Sequence, residues 1–398
     1  MPGVPVRRVL ITGGAGFIGS NFVRHIRKAH PEDSVVVLDK LTYAGNLENL
    51  AGLEGGGAKG RGAPRRGFSF VKGDINDLAL VDAIFKKEGI DTVVNFAAES
   101  HVDRSILGPK AFIETNINGT FTLLEAARKN WGAPRQGKKG ASSRGASGKR
   151  RPPQGRFLQM STDEVYGSSG TGYFTEGTRY EPNSPYAAAK AAADHLVRAW
   201  GHTYGLEVVT VNCSNCYGPY QFPEKLIPLM IINALKGERL PIYGDGKNVR
   251  DWLYVEDCCR AIAAVLEKGK ALESYNIGCR NEKTNIEIVT KICAIIDAMA
   301  EKDERFKGGK RSSLIRFVKD RPGHDRRYAI DPTKIERELG WRSVYSFEEA
   351  LEKTVGWYVE NRLWWERIMS GEYLDYYVLQ YGGRGCTPGR GAPPTAGK

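Results

Sequence analysis

The run Thr12-Gly13-Gly14-Ala15-Gly16-Phe17-Ile18-Gly19 constrains the fold of this chain more than any other. It follows the β-branched segment Val9 to Thr12 and opens an amphipathic stretch, Phe17 to Ala29. Gly13, Gly16 and Gly19 stand at G-x-x-G-x-x-G spacing. Glycine there permits a tight turn, lets a pyrophosphate approach the backbone, and packs helix closely on strand. The helix N-terminus then receives the phosphate charge. Asp39 ends the next β-branched run, 20 residues beyond Gly19. A carboxylate there accepts hydrogen bonds from a ribose diol and repels a 2′-phosphate, which favours NAD over NADP. Asp74-Ile75 closes a third run and suits an adenine contact, with a surface loop as the simpler reading.

The same alternation continues. Val9 to Thr12, Val35 to Asp39, Phe68 to Asp74, Thr92 to Ala98, Phe157 to Thr162 and Val208 to Asn212 read as strands. Their near-continuous apolar character suits strands buried on both faces. Helical patterns at Phe17 to Ala29, Leu78 to Glu88, Thr115 to Asn130 and Pro185 to Tyr204 intervene. Such alternation predicts an α/β fold, a Rossmann-like doubly wound parallel sheet. After Asn212 prolines 219, 223, 228 and 241 break the spacing. Helices are predicted at Lys225 to Leu235, Val255 to Glu267, Asn285 to Met299 and Ser346 to Glu360. The expected division is an NAD-binding domain over 1–212, a smaller mixed α/β substrate lobe over 213–381, and a disordered basic tail over 382–398. A ligand is expected between the lobes, at the carboxyl ends of the parallel strands.

Net charge at first sight points elsewhere. With 58 Lys+Arg against 46 Asp+Glu the chain carries +12, a balance that invites a polyanionic partner. Three low-complexity segments hold the excess: Gly55 to Gly67, Gly132 to Arg156 and Gly382 to Lys398. They contain 15 of the basic residues and no acid, leaving 43 against 46 and a net of −3. No aromatic side chains interleave with these charges to stack on bases, so solvated insertions are expected and a nucleic-acid partner is not. Both internal insertions should lie at the amino ends of strands, away from the active site. The chain shows no run of 18 apolar residues, and MPGVPVRRVLITGG has no apolar signal core. A cytoplasmic, membrane-free protein is expected. Seven cysteines (213, 216, 258, 259, 279, 293 and 386) show no metal-like spacing. Cys213 and Cys216 form a C-x-x-C pair without a second pair, so no metal site is expected.

Tyr186 and Lys190 stand at i, i+4 after Pro185 and share one helical face. An ammonium there would favour the phenolate and lower the tyrosine toward service as a base. Ser161-Thr162-Asp163-Glu164-Val165-Tyr166-Gly167 adds two adjacent carboxylates. On a regular strand they would face opposite ways, so both reach one cleft only if the strand ends there. Beside NAD and a Tyr/Lys pair they suit oxidation of a sugar carbon, which acidifies the neighbouring C–H, followed by loss of water. A helix N-cap with first-turn acids would read the same.

Taken together, these and further motifs carry a resemblance. GGAGFIG, DKLTYAGNLENL, AAESHVDRS, FIETNINGT, STDEVYG, SPYAAAK, NCSNCYGPYQFPEKLIP, LPIYGDGKNVRDWLYVED, YNIG and DRPGHDRRYAID run in order from Val9 to Asp331. The sequence resembles the extended short-chain dehydrogenase/reductase superfamily and, within it, the dTDP-glucose 4,6-dehydratase family of nucleotide-sugar enzymes. That resemblance implies five catalytic residues. Tyr186 would take the 4-hydroxyl proton as hydride passes to NAD, Lys190 would bind the nicotinamide ribose and tune Tyr186, and Thr162 would bond the 4-oxygen. Glu164 would remove the C5 proton and Asp163 would protonate the departing C6 hydroxyl. Hydride would then return to C6.

It also implies NAD contacts at Gly13, Gly16, Phe17, Ile18, Gly19, Asp39, Lys40, Leu41, Thr42, Asp74 and Ile75. Phe96, Ala97, Ala98, Glu99, Ser100, Thr115, Tyr186, Lys190 and Cys216 complete that set. Nucleotide-sugar contacts are implied at Ser100, Thr162, Asn215, Lys225, Leu226, Pro241, Ile242, Tyr243, Arg250 and Asn276. Asp320, Arg321, Pro322, Gly323, His324 and Tyr381 join them. Arg250 and Arg321 can pair with a diphosphate, and Tyr243 offers a face to a base. One departure stands out: the family has Asn-Asn before Tyr-Gly-Pro, and here Asn215 is followed by Cys216. His101 is expected to be structural. A homodimer is expected through the Thr115 to Asn130 and Pro185 to Tyr204 helices. The rival readings are a UDP-glucose 4,6-dehydratase, an epimerase or decarboxylase of the superfamily, and, in another class, a non-catalytic NAD- or RNA-binding scaffold. Asp163-Glu164 argues against simple epimerases, which need no elimination acid and base.

Overall fold

Six parallel strands form as the sequence predicts, and a seventh joins them. In this computed structural model, which describes residues 6–53, 67–132, 155–303 and 308–369, the strands are β1 (Arg8–Thr12), β2 (Ser34–Asp39), β3 (Gly67–Lys72), β4 (Thr92–Asn95), β5 (Arg156–Thr162) and β6 (Glu207–Cys213). The helices between them are α1 (Phe17–Ala29), α2 (Leu78–Glu88), α3 (Val102–Leu107), α4 (Lys110–Phe112), α5 (Thr120–Trp131) and α6 (Pro185–Tyr204). The predicted Thr115 to Asn130 helix is interrupted: Ile113–Gly119 is a π-helix that runs into α5. Asn116 explains the wider turn, since its side chain bonds both backbone groups of Glu99 (2.9 and 3.0 Å).

Further along come β7 (Asn215–Tyr217), α7 (Leu226–Lys236), β8 (Leu240–Tyr243), β9 (Val249–Tyr254), α8 (Val255–Lys268), β10 (Ser274–Ile277), β11 (Glu282–Thr284), α9 (Asn285–Lys302), β12 (Ile315–Val318), α10 (Thr333–Leu339), α11 (Phe347–Glu360) and α12 (Arg362–Ile368). The main sheet has the order β10-β6-β5-β4-β1-β2-β3, every pair parallel. β10 comes from beyond residue 212, so the sheet does not end where the sequence division places the first domain. β6 would otherwise be a bare edge, and pairing covers its ladder groups. The order reverses beside β1, the switch point where such sheets hold ligands.

Alternate side chains feed the two faces of the sheet. Val9 and Ile11 pack with Phe22, Val23 and Ile26 of α1 and with α8. Leu10, Val36 and Leu38 pack with α2 and α5 on the other face. Each such side chain contributes about 1.5–3 kcal/mol on burial. A separate core lies beyond residue 212, where α7, α9 and α11 enclose Ile231, Ile292 and Val355. Strands there form a three-stranded sheet, β11-β9-β7, and a two-stranded one, β12-β8. α12 packs back onto the start of the chain. Trp364 Nε1 donates to Asn49 Oδ1 (2.8 Å), and Asn49 Nδ2 donates to the Ala15 carbonyl (2.8 Å).

Gly67 and Arg156 begin β3 and β5, at their amino ends, so two residues counted with the basic insertions belong to the sheet. Arg156 pairs with Glu207 of the neighbouring strand. The insertions, 54–66 and 133–154, and the tail lie outside the described residues, as does Tyr381.

Candidate active site

The carboxyl edge of the sheet carries the site. Gly13 follows β1 with φ +66°, and a Cβ there would lie 2.6 Å from the Ala97 nitrogen. A Cβ on Gly19 would lie 2.3 Å from the Gly13 carbonyl oxygen. Only glycine fits either place. Gly16 caps α1 without a side-chain bond, leaving first-turn N–H groups directed at the cleft. Asp39 ends β2 and braces the loop, accepting from Ala15 N (2.9 Å) and Leu41 N (2.8 Å). Burial pushes its carboxyl up. Lys40 and Asp74 pair across the rim at 2.7 Å. Burial works against the Asp74 charge, but bonds from Lys40 and Asn76 hold its carboxyl below the usual range.

Of the residues predicted to hold the cofactor, all but Leu41 and Cys216 line this cleft. Leu41 turns onto the core with φ +56°, and the Cys216 thiol lies 3.2 Å from that of Cys213. Gln221, Phe222 and Glu224 line the cleft without having been expected there. They follow the Tyr-Gly-Pro turn, and no periodicity marks that loop.

β5 stops at Thr162, which lets both adjacent carboxylates turn inward. Thr162 caps the 3-10 helix Asp163–Tyr166, its Oγ1 accepting from Glu164 N (3.3 Å). The N-cap reading and the paired-carboxylate reading are therefore both realised. Asp163 is 1% exposed, and its Oδ2 has no protein partner among the described residues. Burial, then the charge of Glu164, pushes its carboxyl well above the usual range. Glu164 is raised by burial too, but Arg321, Arg250 and Lys225 oppose the rise. Two neighbouring carboxyls thus sit in different fields, the pattern that separates an acid from a base.

Tyr186 enters through the α6 N-terminus, where Ser184 Oγ accepts from Ala187 N (3.1 Å) and Pro185 occupies the first turn. Its ring meets Phe112 edge-on at 6.3 Å. Burial and then Glu164 push the phenol up, while a hydrogen bond with Thr162 opposes this. Lys190, which the sequence reading expects to lower Tyr186, is not among the largest influences on it here. Its Nζ donates to the Met160 carbonyl, and burial brings it down to about 8 against the pull of Asp194. Asp194, missed by the sequence reading, stands four residues after Lys190 on the same helix face. It accepts from Ser161 and Tyr180 and is raised by burial to about 6. The i, i+4 spacing was the available signal.

Around Glu164 lie the predicted sugar-nucleotide residues. Lys225 Nζ donates to the Ser100 carbonyl (2.9 Å) at the cleft, and burial lowers its pKa. Tyr243 donates to Asp103 Oδ2 (3.1 Å), and Arg321 lies 3.4 Å from Asp103 Oδ1. Asp103 was also missed. His324 packs edge-on against Tyr243, holds Asp320 at 2.6 Å, and is lowered by burial to about 4. Pro322 and Gly323 form the turn between them, Gly323 with φ +61°. Arg250 is 5% exposed, lies over the Tyr328 ring at 4.2 Å and donates to the Asp325 carbonyl. Its charge is felt by Asp163 and Glu164, not by an open surface. Asn276 is fully buried, accepting from the Tyr166 hydroxyl (2.8 Å) and donating to the Phe174 carbonyl. Ile242 belongs to the core beyond residue 212, Leu226 packs on that core, and Pro241 is buried in β8. These four support the site from behind. Asn215 lies on β7 with a buried Oδ1 that has no protein partner among the described residues. His101 is buried, and desolvation holds it well below its usual pKa, as a structural imidazole should be.

Known proteins are similar to this chain in sequence and fold. The model of a family described as GDP-mannose 4,6 dehydratase matches residues 10–354. A dTDP-glucose 4,6-dehydratase of Xanthomonas campestris pv. campestris (strain B100) is 54% identical over 365 residues, covering 92% of this chain and 96% of its own. The dTDP-glucose 4,6-dehydratase 1 of Escherichia coli (strain K12) is 49% identical over 387 residues, covering 95% and 99%. A Streptomyces venezuelae dTDP-glucose 4,6-dehydratase, solved with NAD and dTDP bound, superimposes with a TM-score of 0.77 at 47% identity, covering 91% and 99%. With family match, sequence identity and fold in agreement over nearly its whole length, the chain belongs to the nucleotide-sugar 4,6-dehydratase family and groups with its dTDP-glucose 4,6-dehydratases.

Proposed function

We propose that this chain performs the reaction for which its relatives are named, the NAD-dependent dehydration of dTDP-glucose to dTDP-4-dehydro-6-deoxy-glucose. It is an enzyme of the hydro-lyase class. The observation that carries the reading is the Asp163-Glu164 pair, Asp163 buried and Glu164 half-buried, whose charges act on Tyr186, which with Lys190 lines the dinucleotide cleft.

The cleft fits NAD. Gly13 and Gly19 let the loop close tightly where a Cβ would strike backbone, Gly16 leaves the α1 N-terminus uncapped by a side chain, and Asp39 ends β2 where a ribose would lie. Bound NAD supplies the hydride acceptor for C4 and the donor for C6. The chain's own residues handle the protons and the positioning. Tyr186 takes the proton of the C4 hydroxyl, Thr162 holds that oxygen, and Lys190 binds the nicotinamide ribose. Once C4 is a ketone, Glu164 removes the acidified C5 proton. Its cationic neighbours Arg321, Arg250 and Lys225 favour the ionised form a base needs. Asp163, kept protonated by burial and by Glu164, gives its proton to the departing C6 oxygen. Lys225 and Arg321 suit the diphosphate, and Tyr243 the base.

The same reading divides the work between an NAD-binding domain and a nucleotide-sugar lobe, with β10 lent across the boundary. It takes the functional unit as a homodimer through α5 and α6. Phe121, 45% exposed on α5, packs edge-on against Trp200 of α6 and supports that surface. Among the described residues no helix is long and apolar enough to cross a membrane, and a cytoplasmic site of action fits the dissolved substrate. Purified protein incubated in parallel with dTDP-glucose and UDP-glucose tests the reaction by the alkali-induced absorbance of a 4-keto sugar. Product from dTDP-glucose is expected, and none from either sugar overturns the proposal. Sedimentation as a monomer at micromolar concentration would remove the dimer.

A further inference from the structure

The C-x-x-C pair that looked isolated in the sequence has a third partner in space. Cys213 closes β6, Cys216 lies on β7, and Cys258 stands in the first turn of α8. Cys213 Sγ is 3.2 Å from Cys216 Sγ and 3.5 Å from Cys258 Sγ, the latter 45 residues away in sequence. All three sulfurs lie within 4.8 Å of one another. Among the described residues no histidine or carboxylate oxygen joins the group. The surroundings are the apolar core that holds Val211, Val255 and Ile262.

We propose that Cys213, Cys216 and Cys258 bind one thiophilic d10 metal ion of the copper(I) class. Soft sulfur ligands select copper(I) or zinc over harder ions. Zinc sites are four-coordinate, and among the described residues no fourth cysteine, histidine or carboxylate joins the three sulfurs. Three sulfurs suit a trigonal monovalent ion. With metal–sulfur bonds near 2.3 Å, trigonal sulfurs stand about 4.0 Å apart, so the observed group opens slightly to accept the ion. Each sulfur that bonds the metal gives its proton to solvent, and neither copper nor sulfur changes oxidation state. The site touches the cleft from behind. Cys213 pairs with Thr162 in the sheet, and the Cys216 carbonyl accepts from Gln221 Nε2 (2.9 Å), a residue that lines the cofactor cleft. Occupancy therefore braces the corner between β6 and β7, against which the cofactor lies.

The test is anaerobic titration of the full-length enzyme with copper(I) held by a chromogenic chelator, with zinc(II) in a parallel arm. One copper(I) per chain is expected in the wild type and in Cys293→Ala, a buried cysteine of the lobe core. Cys216→Ser and Cys258→Ala each remove a direct ligand and should lower the affinity by more than the roughly 10- to 100-fold lost with a partner behind a ligand. X-ray absorption of the copper-loaded wild type should show sulfur ligands alone, a readout that needs no variant to fold. The proposal is overturned if copper(I) stays with the chelator, if neither variant weakens uptake, or if zinc(II) is held in preference. A Cys213–Cys216 disulfide in freshly isolated enzyme, seen as a mass lower by two hydrogens, would also overturn it.

Discussion

The two walls of the cleft are built on opposite principles. The cofactor wall is backbone: Gly13, Gly16 and Gly19 within one turn, braced by Asp39 from the adjacent strand. The catalytic wall is a set of buried and half-buried ionisable side chains gathered from the turn after β5, α6, the start of α7, β9 and the loop after β12: Glu164, Lys190, Lys225, Arg250 and Arg321. A surface made of shape fails when volume is added. A surface made of charge fails when a proton or a partner is moved. That difference sets what each kind of mutation should do.

Glu164→Gln should have the largest effect, since it keeps the shape and removes the base. Turnover should fall roughly 10²- to 10⁴-fold. Oxidation at C4 should survive, so adding substrate should still raise the absorbance of reduced cofactor. Turnover near the wild-type rate would dissolve the contrast between the walls. Gly13→Ala does the reverse, adding one methyl group where φ is +66° and the Ala97 nitrogen is 2.6 Å from the new Cβ. Strain of about 1–3 kcal/mol is expected. The purified protein should carry little NAD and melt earlier, while the field around Glu164 is untouched. Full NAD content measured on release would sink this prediction.

The pH profile sharpens the catalytic side. Glu164 must be ionised to act, and its pKa is raised above 4.5. Activity should therefore be lost as pH falls through that raised value, at a higher pH than an exposed glutamate would give. A kcat profile with its acid limb below 4.5 would contradict this. Asp194→Asn removes the charge that supports Lys190, whose pKa is already down to about 8. Lys190 should lose its proton at lower pH still, so the alkaline limb of kcat should begin earlier, with about a tenfold loss or less near neutrality. An unmoved limb would mean that Asp194 serves packing alone. Trp364→Phe should have the smallest effect, the loss of one buried hydrogen bond to Asn49, about 1 kcal/mol in a denaturation curve.

The cofactor wall was almost wholly legible in the sequence, because one contiguous motif encodes it and β-branched runs mark the strands that carry it. α1, α2 and α6 appear with the limits their apolar periodicity predicts. The catalytic pair was legible too, since Asp163 and Glu164 sit at a strand end. What surrounds them was not. Asp103 reaches Tyr243 and Arg321 across 140 or more residues. β7, β8, β10 and β11 have only three or four residues each, too few to show a period. The π-helical turn at Ile113–Gly119 has the composition of an ordinary helix, and only the tertiary bonds of Asn116 to Glu99 reveal it. The third thiol, Cys258, is likewise a fact of packing.

The bond from Trp364 to Asn49, and from Asn49 to Ala15, also orders events in time. Ala15 precedes Asn49 in the chain, and Trp364 follows Asn49 by 315 residues. At about 5–20 residues per second, that is roughly a quarter of a minute to a minute of synthesis. Through that interval the nascent cofactor loop waits for a brace that has not yet been made. A growing chain therefore completes its cofactor seat only after most of the substrate lobe has emerged.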